Sequence, residues 1–300
     1  MKSLSTYFFK LGDLVPAVSD LDVILLNEGF SNEVYLLSWG GAGRLVLRLA
    51  DIDCDAFYIN RQEEMRVLCC ASKAGLSPEL VWADDTGNVA CEFVDQSTLD
   101  WNVKHQHQSL ERLAYSLREI HSFPKGHHEY SVFTVIEHYL NQIALYVSEE
   151  ASLSIEYKCL LKYFQSVKQP KSLLSKTQCH NDLNPKNVLM DRHKLWLIDW
   201  EYTGVGDPLF DLAVIAKSHN LSDEQIEIFI RAYSPDLNSA DVIEVIVEYM
   251  KCYGLREMAW LLLKYLITPA DDAPSSLQQY YSFKASPNLN PFYNHQDDSA

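Results

Sequence analysis

Residues 179–187 read C-H-N-D-L-N-P-K-N, and residues 195–202 read L-W-L-I-D-W-E-Y. Between them 188–190 is apolar and 191–194 is a polar turn, a pattern that predicts a short hairpin with 195–198 as its second strand. A loop running into a hairpin sets three oxygen-bearing side chains, Asp182, Asn187 and Asp199, at spacings that suit one job. An Asp placed to take a hydroxyl proton, an Asn five positions on and a second Asp past a hairpin can hold Mg²⁺–nucleotide against an alcohol. Phosphoryl transfer asks little covalent chemistry of a protein, so the residues that position and neutralise charge reveal the reaction class. A lone Asp is more often structural than catalytic, but the whole set together is specific.

Composition bounds the remaining choices. Three hundred residues with 47% hydrophobic content suffice for one large domain or two moderate ones. Against 25 Lys and Arg stand 41 Asp and Glu, a formal net charge of −16, so a nucleic-acid partner is not expected. Seven cysteines, with Cys69 and Cys70 adjacent, show neither a disulfide framework nor paired metal-ligand spacing, and reduced thiols are expected. No apolar run reaches the ~18 residues of a membrane span. Lys2, Lys10 and Asp13 interrupt the apolar pieces that a signal-peptide core needs. A cytoplasmic protein, monomeric or homodimeric, is the expectation.

The first hundred residues alternate in the manner of strands at 23–26, 33–39 and 44–50, with Gly40-Gly41 as a tight turn between the second and third. A helix is predicted over 55–74, ending before Gly75. Two more strands are predicted at 79–83 and 88–94. From 108 onward helical spacing dominates, over 108–121, 132–147, 155–167, 208–216, 222–233 and 240–266, with Ser222 and Gln225 placed for a capping box. The last thirty residues lack periodicity. The fold class is therefore α+β and bilobal: a small antiparallel-sheet lobe with one main helix at 1–95, a larger mostly helical lobe at 96–270, and an irregular tail at 271–300. Nucleotide is expected in the cleft between the lobes, with the link near 92–95 placing Glu92 and Val94 beside it.

Other positions carry chemistry with a structural alternative beside each. Residues 27–32, N-E-G-F-S-N, offer Gly29, Ser31 and Asn32 for close approach of backbone N–H groups to phosphate, although strand-turn-strand with Gly is also an ordinary hairpin. Arg48, inside an apolar strand, needs an anion: phosphate, Glu64, or Glu63 in its place, with Arg61 able to join. Asp207 before Pro208 reads as an N-cap, and Asp211 as a brace for the loop. His180 reads as a loop-holding residue, and His105, His107, His127 and His128 as solvated. Glu201 and Tyr202, with Tyr253, Glu257 and Trp260 at helical spacing, combine acids and aromatics as a protonated or quaternary amine requires. The alternative for those aromatics is the core.

The spacing His-x-Asp, four residues, Asn is that of kinase catalytic loops. Over about 27–266 the chain resembles the choline/ethanolamine kinase branch of the aminoglycoside phosphotransferase-like superfamily, with thiamine kinases and LicA-type choline kinases in view. The resemblance rests on E-G-F-S-N, V-L-R-L at 46–49, R-Q-E-E at 61–64, G-L-S-P at 75–78, L-R-E-I-H at 117–121, H-N-D-L-N-P-K-N and I-D-W-E-Y-T-G-V-G-D-P-L-F-D-L-A. It implies a protein-kinase-like fold and an ATP- and Mg²⁺-dependent kinase for a small cationic alcohol. Asp182 would be the base, Asn187 and Asp199 would hold metal, and Arg48 would stand at the phosphate-binding Lys position of protein kinases. Glu201 and Tyr202 would border the acceptor. A catalytically silent nucleotide-binding module and a protein kinase remain as alternatives of other kinds.

Overall fold

A computed structural model describes residues 4–26, 32–147, 151–268 and 273–293. Strand alternation organises its first part: β1 (Asp22–Leu26), β2 (Asn32–Trp39), β3 (Ala42–Ala50), β4 (Leu80–Ala83) and β5 (Val89–Glu92) form one antiparallel sheet in the order β1-β2-β3-β5-β4. Along β3 the odd positions Leu45, Leu47 and Leu49 share one face, and Val46 and Arg48 the other. The leucine face is covered by a helix that the sequence reading missed, α1 (Leu4–Leu11). Its Leu4, Tyr7, Phe8 and Leu11 fall at helical spacing and pack with Tyr35, Leu37 and the three leucines. Gly40 and Gly41, at φ 62° and 75°, make the β2–β3 turn.

The helix expected from residue 55 begins later, as α2 (Arg61–Lys73). Asp53 Oδ1 accepts from the N–H of Asp55 and of Ala56, each at 3.0 Å, and folds the chain into a turn. Tyr58 then takes φ 60°, and Asn60 caps α2 by accepting from Glu63 N at 3.0 Å. The diverted segment buries Phe57 and Ile59 against the helical remainder.

That remainder holds α3 (His107–His121), α4 (Val132–Ala144), α5 (Ala151–Ser166), α6 (Pro208–Ser218), α7 (Asp223–Tyr233) and α8 (Ser239–Ile267). Helix α8 packs on α4, α5, α6 and α7, and the capping box on α7 forms as expected. Two small antiparallel ladders interrupt the helices. One joins β7 (Val188–Met190) to β8 (Leu195–Leu197), the expected hairpin; the other joins β6 (Thr177–Cys179) to β9 (Gly204–Gly206). The second was not legible because β9 has glycine at both ends. A Cβ at Gly206 would lie 2.7 Å from Tyr130 O, so this strand is selected for close approach rather than for an apolar pattern. Residues 93–99 lead from the sheet to the hairpin: Phe93 N donates to Arg44 O, and Leu99 N to Val188 O, each at 2.9 Å.

The expectation of an irregular tail at 271–300 is corrected over 273–284. Residues Ala273–Lys284 form α9 against α8, with Tyr280 fully buried and donating to Glu156 Oε2 at 2.6 Å. Phe292 stacks on Tyr163 at 4.4 Å. Pro274 is no obstacle, because it sits in the first turn, where N–H groups lack helical partners. Among the described residues, no helix is long and apolar enough to cross a membrane.

Candidate active site

The loop after β6 is held from below by Asp211 in the first turn of α6. Its carboxylate accepts from His180 N at 2.9 Å, Asn181 N at 2.6 Å and His121 Nε2 at 3.0 Å. Burial works against its charge, yet the His121 contact and the backbone donor leave the net pKa shift downward. His121, Cys179 and Asp211 lie close enough to suggest a metal site, but these three hydrogen bonds already use both Asp211 oxygens. His180 holds the loop as expected, its Nε2 donating to Ile198 O at 3.1 Å, and burial lowers its pKa to about 4.

His105, expected in solvent, is buried instead. Its ring stacks on His219, their nitrogens 2.8 Å apart, and His219 Nε2 donates to Leu183 O at 3.0 Å, one residue past Asp182. Burial lowers His105 to about 4; burial and then the His105 charge lower His219 to about 3. Both rings are therefore neutral in the fold, while the unfolded chain takes up protons as soon as pH falls below about 6.5. Stability from this pair is complete above that value and is lost progressively down to about pH 3, by an amount on the order of a few kcal/mol. Urea midpoints at pH 7.5 and 5.0 measure it: His219→Gln should show a smaller acid loss than the native chain, and equal losses would remove the pair as the cause.

Asp182 lies at the head of this loop. Its Oδ2 accepts from Asn187 Nδ2 at 2.9 Å and Asn184 Nδ2 at 3.2 Å, and its Oδ1 pairs with Arg256 at 2.6 Å. Burial pushes the carboxyl up to about 7, with Glu257 adding to the shift and Arg256 opposing it. Asn187 spends its NH₂ on Asp182, both side chain and carbonyl (2.7 Å), which leaves the amide oxygen without a hydrogen bond among the described residues. The hairpin register pairs Val188 with Leu197, and Ile198 N donates to Asn187 O at 3.0 Å, so Asp199 follows directly beside Asn187. Asp199 takes φ 63°, a left-handed conformation that Asp tolerates better than most residues. An amide oxygen next to a carboxylate, both hard donors, fits Mg²⁺. Burial raises Asp199 to about 6 despite Arg48, with Glu64 adding to the rise; a bound divalent cation favours its ionised form.

Arg48 makes the expected ion pair with Glu64, at 2.5 Å, and also meets Asp199 at 3.3 Å and Gly87 O at 3.0 Å. Arg61 joins through Glu64 at 2.6 Å and reaches Glu201 at 3.4 Å, whereas Glu63 pairs with Arg66. Buried Nε of Arg48, and Nε and Nη2 of Arg61, have no hydrogen-bond partner among the described residues. Spare guanidinium donors of this kind suit a phosphate group. Asn32 donates to Glu201 Oε2 at 3.2 Å. Glu201, read as a border of the acceptor, is buried and committed to Asn32 and Arg61, and burial with the nearby Asp199 raises it to about 7. Gly29 and Ser31 lie outside the described residues. Glu92 and Val94 instead line a cavity of about 530 Å³ shared with residues of α2 and β4 and with Trp196.

Tyr202 is buried, its hydroxyl accepting from Trp260 Nε1 at 2.7 Å, and Trp260 rests on Phe57 with centroids 5.4 Å apart. The residue that sequence reasoning missed is Arg256. Only 3% exposed, it donates to Asp182, to Asn181 O at 2.5 Å, to Tyr130 Oη at 3.1 Å and to Glu257 at 2.8 Å, over the ring of Tyr253.

With an acid, an amide and a second acid gathered beside a buried arginine pair, the site has the make-up of a phosphoryl-transfer centre. The phosphotransferase enzyme family profile matches residues 22–243, and the chain belongs to that family. Protein LicA of Haemophilus influenzae is 28% identical over 214 residues, spanning 70% of this chain and 62% of its own length, so the match covers less than two thirds of that relative. The choline kinase LicA from Streptococcus pneumoniae superposes with a TM-score of 0.68 at 21% identity, over 94% of this chain and 98% of that one. Plasmodium vivax ethanolamine kinase does so at 0.75 and 18%, over 96% and 91%. The shared architecture is protein-kinase-like: an antiparallel N-terminal sheet followed by a helical remainder.

Proposed function

We propose that this protein is an ATP- and Mg²⁺-dependent kinase that phosphorylates the hydroxyl of a small cationic amino alcohol, choline or ethanolamine, with thiamine as the alternative acceptor. The observation that carries it is the clustering of Asp182, Asn187 and Asp199 on one loop and hairpin, with Arg48 paired to both Asp199 and Glu64. Asp182 orients the acceptor hydroxyl and takes its proton as that oxygen bonds to the γ-phosphorus and the bond to the ADP oxygen breaks. Asn187 and Asp199 would hold Mg²⁺, which supplies neutralisation of phosphate charge when bound. Arg48 and Arg61 would face the same charge with buried donors that have no partner among the described residues. The Tyr202 and Trp260 rings support an amine at the acceptor end.

ADP release with Mg²⁺-ATP, measured across choline, ethanolamine, thiamine, an aminoglycoside and sugars, tests this. Stimulation of at least about tenfold by an amine-bearing alcohol is expected, a gain within what positioning supplies. No stimulation by any of them would sink the reading. A melting shift with Mg²⁺-ATP but no turnover on the whole panel would leave a silent nucleotide-binding module in its place.

A further inference from the structure

The aromatic faces near Asp182 already carry cations that belong to the protein. The Arg256 guanidinium lies 5.2 Å from the Tyr253 centroid and 5.6 Å from that of Tyr202. One and two turns further along α8, Trp260 and Lys264 share a side of the helix with Arg256. Lys264 folds back so that its Nζ stands 5.2 Å from the Trp260 centroid. A lysine in the last turn of a helix that served only the carbonyl end would extend to water. This one is half-buried, and among the described residues its Nζ makes no hydrogen bond or ion pair. What holds it is the indole face, with the charges of Glu201 and Asp51 nearby; burial outweighs both carboxylates and brings its pKa down to about 8.

We propose that Lys264 is the resident cation of the acceptor's ammonium site, so that an incoming ammonium reaches the Trp260 face only by displacing it. This rests on the amino-alcohol reading for the kind of ligand, and on the Trp260–Lys264 geometry for the place. One ring face accommodates one cation, and a second within a few ångström is repelled. The handicap differs between acceptors. A primary ammonium carries three donors and can recruit carboxylates or water, whereas a quaternary ammonium has none and depends on ring faces. Lys264 therefore disfavours a quaternary acceptor more than a primary one.

Tetramethylammonium binding, followed by isothermal titration calorimetry on the native chain, Lys264→Met and Lys264→Arg, tests this without any turnover. Methionine keeps an unbranched stem over Trp260 and the helix propensity, so the fold should be preserved. Binding is expected to tighten roughly tenfold in Lys264→Met, the order of one cation–π contact, and to stay weak in Lys264→Arg, which keeps the charge. The KM for choline should fall by a similar factor in Lys264→Met, and more than the KM for ethanolamine. Equal tetramethylammonium affinity in the native chain and Lys264→Met would overturn the proposal, as would tightening in Lys264→Arg equal to that in Lys264→Met. If tetramethylammonium binds more tightly to Lys264→Met while no amine-bearing alcohol is phosphorylated by either protein, the ammonium site stands and the amino-alcohol kinase reading fails.

Discussion

Asp182→Asn is expected to lower kcat by about 10²–10⁴-fold while leaving Mg²⁺-ATP affinity within about threefold, the loss that follows when a positioned base is removed. The substitution keeps the side-chain shape, so the loop has no steric reason to move. Arg256 retains Asn181 O, Tyr130 Oη and Glu257 as acceptors, and can still donate to the oxygen of the introduced amide. The new NH₂ then faces Asn187 Nδ2 and Asn184 Nδ2, donors that now meet a donor. That mismatch costs about 1–3 kcal/mol, moderated because Asn187 also donates to the backbone carbonyl of residue 182. Nucleotide affinity should be spared because the groups proposed for phosphate and metal, Arg48, Asn187 and Asp199, are unchanged. Single-turnover kinetics and a nucleotide titration on one preparation separate the two effects. A variant that turns over within a few-fold of the native rate would remove Asp182 from the role of base.

What the sequence made legible was local chemistry. The hairpin was readable because two short apolar runs flank a polar turn, and its ladder then places Asn187 beside Asp199. Arg48 was readable as a cation stranded in an apolar strand, and its pairing with Glu64 follows from the same need. The misreadings share a different cause. His105 sits in a polar stretch that looks solvated, and the ring that buries it, His219, is 114 residues away. Helix α2 starts later than the spacing from residue 55 suggests because Asp53 makes a turn and Asn60 a cap, both residue types that hydrogen-bond nearby backbone. Strand β9 carries its information in two glycines, which give no apolar rhythm. Tyr280 and Phe292 find their partners on α5, far outside any local window. Arg256 stands in a helix that is buried on several sides, where one charge among apolar residues gives no clue to the carboxylate 74 positions earlier.

Arg256→Met should be the most destabilising single change in the site. The guanidinium serves Asp182, Glu257, Asn181 O and Tyr130 Oη at once, in an environment that is 3% exposed. Methionine fills much of the volume, so the loss is electrostatic rather than a cavity. Asp182 remains buried with its neutralising partner gone, and breaking a buried pair on one side costs about 3–5 kcal/mol. For a chain of this size the melting midpoint should drop by roughly 6–15 °C. Activity should fall as well, by at least about tenfold, because Asp182 loses the contact that fixes Oδ1 and its carboxyl no longer has a cation against the upward push of burial. Arg256→Lys restores a charge but not the planar fork that reaches Asp182 and Asn181 O together, so it should recover part of the melting loss and less of the rate. The double variant with Asp182→Asn provides the sharper measurement. Once residue 182 is neutral, removing Arg256 strands no carboxylate there, and the second substitution should cost less than it does alone, with a coupling of about 0.5–3 kcal/mol. Strictly additive losses would mean that the contact at 2.6 Å between these two side chains contributes nothing specific, and that Arg256 acts only through Glu257 and the packing of α8.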